Sequence, residues 1–139
     1  MRLIPQMRQI FNTVLLSLSL VSFCLNAAPT TEQVEFFEKK IRPVLAEHCY
    51  ECHNSSGKEK GGLVLDWAGG LAEGGDSGSL LEEDEPLKSF LLQVIRHEDS
   101  DMKMPKGGPK LSPEVIADFE KWVAAGVPDP RKNKPSKEE

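Results

Sequence analysis

Two cysteines and a histidine in the first half of the chain have a spacing that could carry chemistry. Cys49 and Cys52 are three residues apart, and His53 follows the second cysteine directly. On a helical turn this spacing places both sulfur atoms on one side, and the next residue can present an imidazole nitrogen to a metal. Cys-x-x-Cys-His is the attachment signature of c-type haem. The motif therefore predicts one haem c, bound covalently through both thiols, with His53 as an axial ligand of the iron.

Two other uses of paired cysteines fit the sequence less well. A structural zinc site needs four ligands, usually with a second ligand pair. Beyond the motif, only His48 and His97 remain as soft donors. A thioredoxin-like redox pair is expected near a βαβ unit, whereas the pattern of this chain indicates helices and loops. Covalent haem attachment is therefore the favoured interpretation.

A second axial ligand is expected from a methionine further along the chain. Met104 precedes Pro105 in a loop rich in glycine and proline, just before the last predicted helix. Thioether sulfur is a soft ligand that raises the reduction potential of haem iron. We predict Met104 as the distal ligand. His97 and Met102 are the alternatives, and an open sixth position is the remaining one.

The first 28 residues have the pattern of a secretory signal peptide. Arg2 and Arg8 precede an apolar run over residues 13–25, and small residues follow as far as Ala28. The run is too short for a comfortable transmembrane helix. An uncleaved anchor is the alternative, because the −3 position of the expected cut is Leu25. We predict cleavage, no stable membrane insertion afterwards, and localisation in the periplasm or another extracytoplasmic compartment.

Composition limits the possible partners and the size of the core. The 139-residue chain has 17 basic and 22 acidic residues and a formal net charge of −5, so nucleic acid is not an expected partner. Removal of the signal would also remove Cys24, which leaves Cys49 and Cys52 as the only cysteines of the mature chain. A chain of this length buries only a modest core of its own, and a large flat apolar cofactor would add buried surface.

Three helices are predicted to position the motif. The first is capped at Thr30 and is expected to kink or restart at Pro43 before it delivers the cysteines. The second begins near Pro86, and the third lies between Ser112 and Gly126. We expect the segments between these helices to be long loops rich in glycine and proline.

These elements suggest one compact domain. We assign residues 29–127 to it and residues 128–139 to a disordered polar tail, because the tail is rich in proline and charge. Within the long loop after the motif, residues 63–65 form one short apolar run. This run could be a strand fragment or a chain segment that lies on the cofactor.

The motifs together resemble the planctomycete cytochrome c domain family, a variant of the class I cytochrome c fold. Besides Cys-x-x-Cys-His, the matching pieces are Ile41-Arg42-Pro43-Val44-Leu45, Gly61-Gly62-Leu63-Val64-Leu65-Asp66, Gly74-Gly75-Asp76-Ser77-Gly78, Pro86 with Ser89, Met104-Pro105, Leu111-Ser112 and Trp122-Val123-Ala124-Ala125-Gly126. The chain departs from the family pattern at Lys106, where a second proline is usual. It also lacks the usual Pro-Gly before the second helix.

The resemblance implies an all-α, small class I cytochrome c-like fold, with three main helices and long Gly/Pro-rich loops around one covalent haem. It implies His53 and Met104 as the axial ligands. It also implies that the N- and C-terminal helices cross, with a contact that the aromatic residues of both helices would supply: Phe36 and Phe37 against Phe119 and Trp122.

The predicted function is single-electron transfer between redox partner proteins by an exported monohaem c-type cytochrome. In this interpretation the chain is an electron carrier rather than an enzyme, because the cofactor supplies the redox chemistry. Two alternatives remain. One is a haem-binding subunit of a larger oxidoreductase, and the other is a haem enzyme or ligand sensor with a labile distal ligand.

Overall fold

The computed structural model describes residues 28–136. In chain order, its elements are α1 (Thr31–Phe36), a π-helical segment (Phe37–Ile41), α2 (Arg42–His48), β1 (His53–Asn54), β2 (Lys58–Glu59), a 3-10 turn (Lys60–Gly62), α3 (Ala68–Glu73), a second 3-10 turn (Pro86–Lys88), α4 (Phe90–Arg96) and α5 (Pro113–Ala124). Residues 1–27 of the predicted signal peptide lie outside the described part. Within residues 28–136, no helix is long and apolar enough to cross a membrane.

The N-terminal helical arm begins and restarts where the sequence predicts. The Thr30 hydroxyl accepts the Gln33 N–H at 3.2 Å, and the Gln33 side chain accepts the Thr30 N–H at 2.9 Å, which is a complete capping box. Pro43 lies in the first turn of α2, directly after the π-helical segment. The predicted restart is therefore confirmed, and the wider π turn before it is how the arm continues without a break.

A small antiparallel ladder corrects the all-α prediction. His53 pairs with Glu59 and Asn54 pairs with Lys58, so the chain folds back on itself immediately after the cysteines. Gly57 makes the reversal with a φ of 109°, which is a backbone conformation that favours glycine. The fold is thus helix-rich with a two-stranded ladder of two residues per strand.

Helix α3 was not expected, because the sequence of this region suggests a loop. It contains Gly69 and Gly70, which usually weaken a helix. A Cβ atom on Gly70 would lie 2.6 Å from the carbonyl oxygen of Val64. The glycine is therefore required by close packing of the helix against the preceding segment, not by a turn.

Helix α4 begins later than predicted, whereas α5 is as predicted. Ser89 has an extended backbone that ends the turn at Pro86–Lys88, and its buried hydroxyl accepts the Glu82 N–H at 3.0 Å. Leu87, in the turn before α4, is 51% exposed. The Ser112 hydroxyl caps α5 by accepting the Val115 N–H at 3.3 Å.

Aromatic residues join the two ends of the domain. The ring centroids of Phe37 and Trp122 are 5.8 Å apart, and those of Phe119 and Trp122 are also 5.8 Å apart with an edge-to-face angle of 86°. All three side chains are essentially fully buried. The predicted contact between the N-terminal arm and the C-terminal helix is therefore confirmed for Phe37.

The first residues after α5 make buried contacts with the helices, although the composition of residues 128–139 predicts a disordered tail. The Trp122 indole N–H donates to the Pro128 carbonyl at 3.0 Å. The side chains of Asp129 and Arg131 are 3% and 13% exposed. Residues 128–131 therefore belong to the folded domain.

Candidate cofactor site

The Cys-x-x-Cys-His motif forms one tight turn that continues from the end of α2. The Cys49 N–H donates to the Leu45 carbonyl at 2.9 Å, and the Cys49 carbonyl accepts from Cys52 at 3.1 Å and from His53 at 3.0 Å. The structure thus brings the three predicted residues together in a single turn. Both cysteines are free thiols and half-buried. Burial raises the pKa of the Cys49 thiol to about 11, so this sulfur is protonated near neutral pH.

The backbone of His53 is fixed on both sides. Its N–H donates to Cys49, and its carbonyl accepts the Leu65 N–H at 3.0 Å. Its ring nitrogen Nδ1 is buried without a hydrogen-bond partner. A histidine that ligates a metal normally donates its other ring N–H to a carbonyl or carboxylate. Among the described residues, no such partner is in place for His53.

A half-buried carboxylate with one buried oxygen lies next to the motif. Asp66 follows Leu65, and its Oδ2 accepts the Ser55 N–H at 2.9 Å and the Ser55 hydroxyl at 2.7 Å. Its Oδ1 is the other buried side-chain atom without a partner in the described part of the chain. Asp66 therefore ties the turn after His53 to the segment that follows β2.

The predicted distal ligand lies in the loop between α4 and α5. Met104 is half-buried, and its N–H donates to the Val94 carbonyl at 3.0 Å. Its carbonyl is 3.0 Å from His97 Nε2, so the His97 ring donates to it in the tautomer that carries the proton on Nε2. His97 ends α4 in the left-handed conformation, with a φ of 57°. This histidine holds the methionine loop through its backbone.

The two halves of the predicted site contact the same apolar core. Cys49 and Tyr50 pack against the buried cluster from the motif side, and Met102 and Met104 pack against it from the loop. Two free thiols, an imidazole and a thioether are the donors that haem iron and its vinyl groups use. Residues 28–136 contain no cluster of three or more His, Cys, Asp or Glu side chains that could hold a metal ion.

Sequence reasoning missed a polar network on the other side of the motif. Arg131 pairs with Asp129 and donates to the Tyr50 hydroxyl and to the Leu65 carbonyl. Proline and charge around these residues indicate a tail, so the sequence pattern does not predict this network.

A turn that carries two free thiols and a histidine, packed on the same core as a loop methionine, is typical of haem-binding c-type cytochromes. Residues 49–108 match the model of the planctomycete cytochrome C family. This match confirms, for residues 49–108, the family resemblance that the motifs predict. No curated protein and no solved structure matches the chain. The class I cytochrome c fold therefore stays a prediction, whereas haem binding is what the family implies.

Proposed function

We propose that this chain is an exported monohaem c-type cytochrome that transfers single electrons between redox partner proteins. The observation that carries the proposal is the turn of Cys49, Cys52 and His53, in which two free thiols adjoin an imidazole whose backbone is held by Cys49 and Leu65. The family match over residues 49–108 supports haem binding. Bound haem would supply an iron that alternates between the ferrous and ferric states.

The residues of the motif would hold the cofactor in three ways. Cys49 and Cys52 would each form a thioether bond, and His53 would ligate the iron through Nε2. The backbone of His53 is already held by Cys49 and Leu65, so the ligand is anchored before the cofactor binds. Such anchoring limits the reorganisation of the site when the iron changes its charge.

Met104 is the distal ligand that the contacts favour. His97 uses Nε2 on the Met104 carbonyl, which leaves it less suited to bind iron in place of the methionine. The backbone N–H of Met102 is 3.3 Å from Asp99 Oδ1, at the exposed end of the loop. Two axial side chains would fill the two iron positions that the porphyrin leaves free, and the site would then transfer electrons without binding a substrate.

An absorption spectrum of the full chain, expressed with its N-terminal segment in a host that attaches haem c, tests the proposal. We expect covalent haem that survives denaturation, and a sulfur-to-iron charge-transfer band in the ferric protein. Met104→Ala should abolish this band, and the neighbouring Met102→Ala should retain it. Recovery of the chain without covalent haem would refute the proposed function.

Two further outcomes separate the alternatives. Rapid carbon monoxide binding by the ferrous wild type would refute stable Met104 ligation and favour a ligand sensor or haem enzyme. Loss of the band in Met102→Ala but not in Met104→Ala would identify Met102 as the distal ligand. Retention of the precursor N-terminus in the exported fraction would refute cleavage of the signal.

A further inference from the structure

A buried ion pair follows helix α5, outside the segment that matches the family. The Arg131 guanidinium donates to both carboxylate oxygens of Asp129, from Nε at 2.9 Å and from Nη2 at 2.6 Å. Asp129 is 3% exposed and Arg131 is 13% exposed. A bidentate pair of this kind is geometrically specific. The cation is thus held in one position next to a fixed anion.

The same guanidinium reaches the cofactor motif. Its Nη1 donates to the hydroxyl of Tyr50, which lies between the two cysteines, and to the Leu65 carbonyl at 2.9 Å. The N–H of Leu65 in turn donates to the carbonyl of His53. The guanidinium carbon lies 4.8 Å from the ring centroid of Phe37 and 5.9 Å from that of Tyr50, within cation–π range. One side chain therefore connects the cysteine spacer with the residue that pairs with the proposed proximal ligand.

The backbone around this pair is also fixed. The Arg131 carbonyl accepts the Ala68 N–H at 2.9 Å, and the Pro128 carbonyl accepts the Trp122 indole N–H at 3.0 Å. The segment from Pro128 to Arg131 thus forms a strap that is attached at both ends. We call these four residues the C-terminal strap.

A buried ion pair is weak evidence for a stabilising role, because desolvation offsets most of the attraction between its charges. Its charges act on any third charge nearby. Oxidation of haem iron adds one positive charge, so a buried cation disfavours the ferric state and a buried anion favours it. With the two charges held side by side, their effects on the iron largely cancel.

We propose that Arg131 is a positioning residue for the haem site and that Asp129 balances its charge, so that the intact pair has little net effect on the reduction potential of the iron. The proposal rests on the proposed haem binding. In it, Arg131 holds Tyr50 and Leu65 in place, and Asp129 both orients the guanidinium and neutralises its charge.

Potentiometric titration of the haem-loaded full chain tests the electrostatic part. Arg131→Gln should lower the potential and Asp129→Asn should raise it, each by about threefold to tenfold in the ferrous–ferric equilibrium constant, where tenfold is about 59 mV for one electron. The double variant should return close to the wild-type value. Arg131→Lys keeps the charge but loses the bidentate fork, so it should retain the potential better than Arg131→Gln.

The matched control is Lys134→Gln, which removes an exposed cation three residues further on. It should leave the potential unchanged, because exposed charges are screened by solvent. Shifts of Arg131→Gln and Asp129→Asn in the same direction, or no shift in either, would overturn the electrostatic part. A purely structural role of the pair does not predict potential shifts of opposite sign in the two variants.

Labelling of the thiols in the haem-free chain tests the positioning part separately. Arg131→Gln should raise the alkylation rate of the half-buried Cys49 by about threefold or more, because Tyr50 in the spacer loses its contact with the guanidinium. Lys134→Gln should leave this rate unchanged. Equal rates in wild type and Arg131→Gln would overturn this part. Failure of the chain to take up haem would refute the proposed function and, with it, the proposed effect on the reduction potential. The labelling result would still decide whether the strap positions the motif.

Discussion

Replacement of Asp66 by alanine probes how the turn after the cofactor motif is held. Asp66 Oδ2 accepts the N–H and the hydroxyl of Ser55, which is 4% exposed. A buried donor left without a partner costs about 1–3 kcal/mol. The hydroxyl can rotate toward another acceptor but the N–H cannot, so the two losses together amount to about 2–4 kcal/mol.

An opposing effect reduces this value. Asp66 Oδ1 is buried without a partner, and its removal relieves part of the desolvation penalty of the carboxylate. We therefore expect Asp66→Ala to lower the free energy of unfolding by about 1–3 kcal/mol. Ser55→Ala removes only the hydroxyl bond and should cost less, about 1 kcal/mol.

Urea unfolding of the haem-free chain, followed by circular dichroism, measures these changes. Asp101→Ala, on an exposed loop, is the matched control and should stay within about 0.5 kcal/mol of the wild type. The double variant of Ser55 and Asp66 should lose less than the sum of the single variants, because both lose the same contact. A change below 0.5 kcal/mol for Asp66→Ala, or strict additivity of the pair, would refute this account of the turn.

Two further predictions concern the loop methionine and the C-terminal strap. His97→Ala removes the donor to the Met104 carbonyl, so with haem bound we expect a weaker charge-transfer band and faster carbon monoxide binding. An unchanged spectrum would contradict this expectation. His97→Asn is the control, because asparagine tolerates the φ of 57° but does not place a donor at the same reach. Trp122→Phe keeps an aromatic ring but loses the hydrogen bond to the Pro128 carbonyl. We therefore expect the free energy of unfolding in urea to fall by about 1–3 kcal/mol and proteolysis after α5 to become faster. Proteolysis at the wild-type rate would show that this bond does not hold the strap.

Local rules explain why much of the helical structure could be predicted from the sequence. Thr30 and Ser112 cap their helices through contacts three residues away, and Pro43 acts through its own missing N–H. The signals failed where a distant residue decides the outcome. Gly70 looks like a turn residue, but the carbonyl of Val64 requires its small size. Ser89 keeps a non-helical backbone before α4, and its hydroxyl accepts the N–H of Glu82, seven residues earlier.

The cofactor motif shows the same contrast between contacts that are local in the sequence and contacts with distant residues. The spacing of Cys49, Cys52 and His53 is local, so their common turn could be predicted. The hold of Arg131 on Tyr50 spans 81 residues and leaves no periodic pattern in the sequence. Proline and charge in that region matched the composition of a disordered tail, although burial of the arginine against two aromatic rings makes it part of the domain.

The long separation between Arg131 and its hydroxyl partner also has a consequence in time. A domain folds as a unit, but the backbone bonds of the turn with the two thiols use only residues 45–53. Tyr50 and Leu65 gain their guanidinium partner only when residue 131 reaches its place. The spacer between the cysteines is therefore the part of the site that is held last, and it is the first part to be released when the strap detaches.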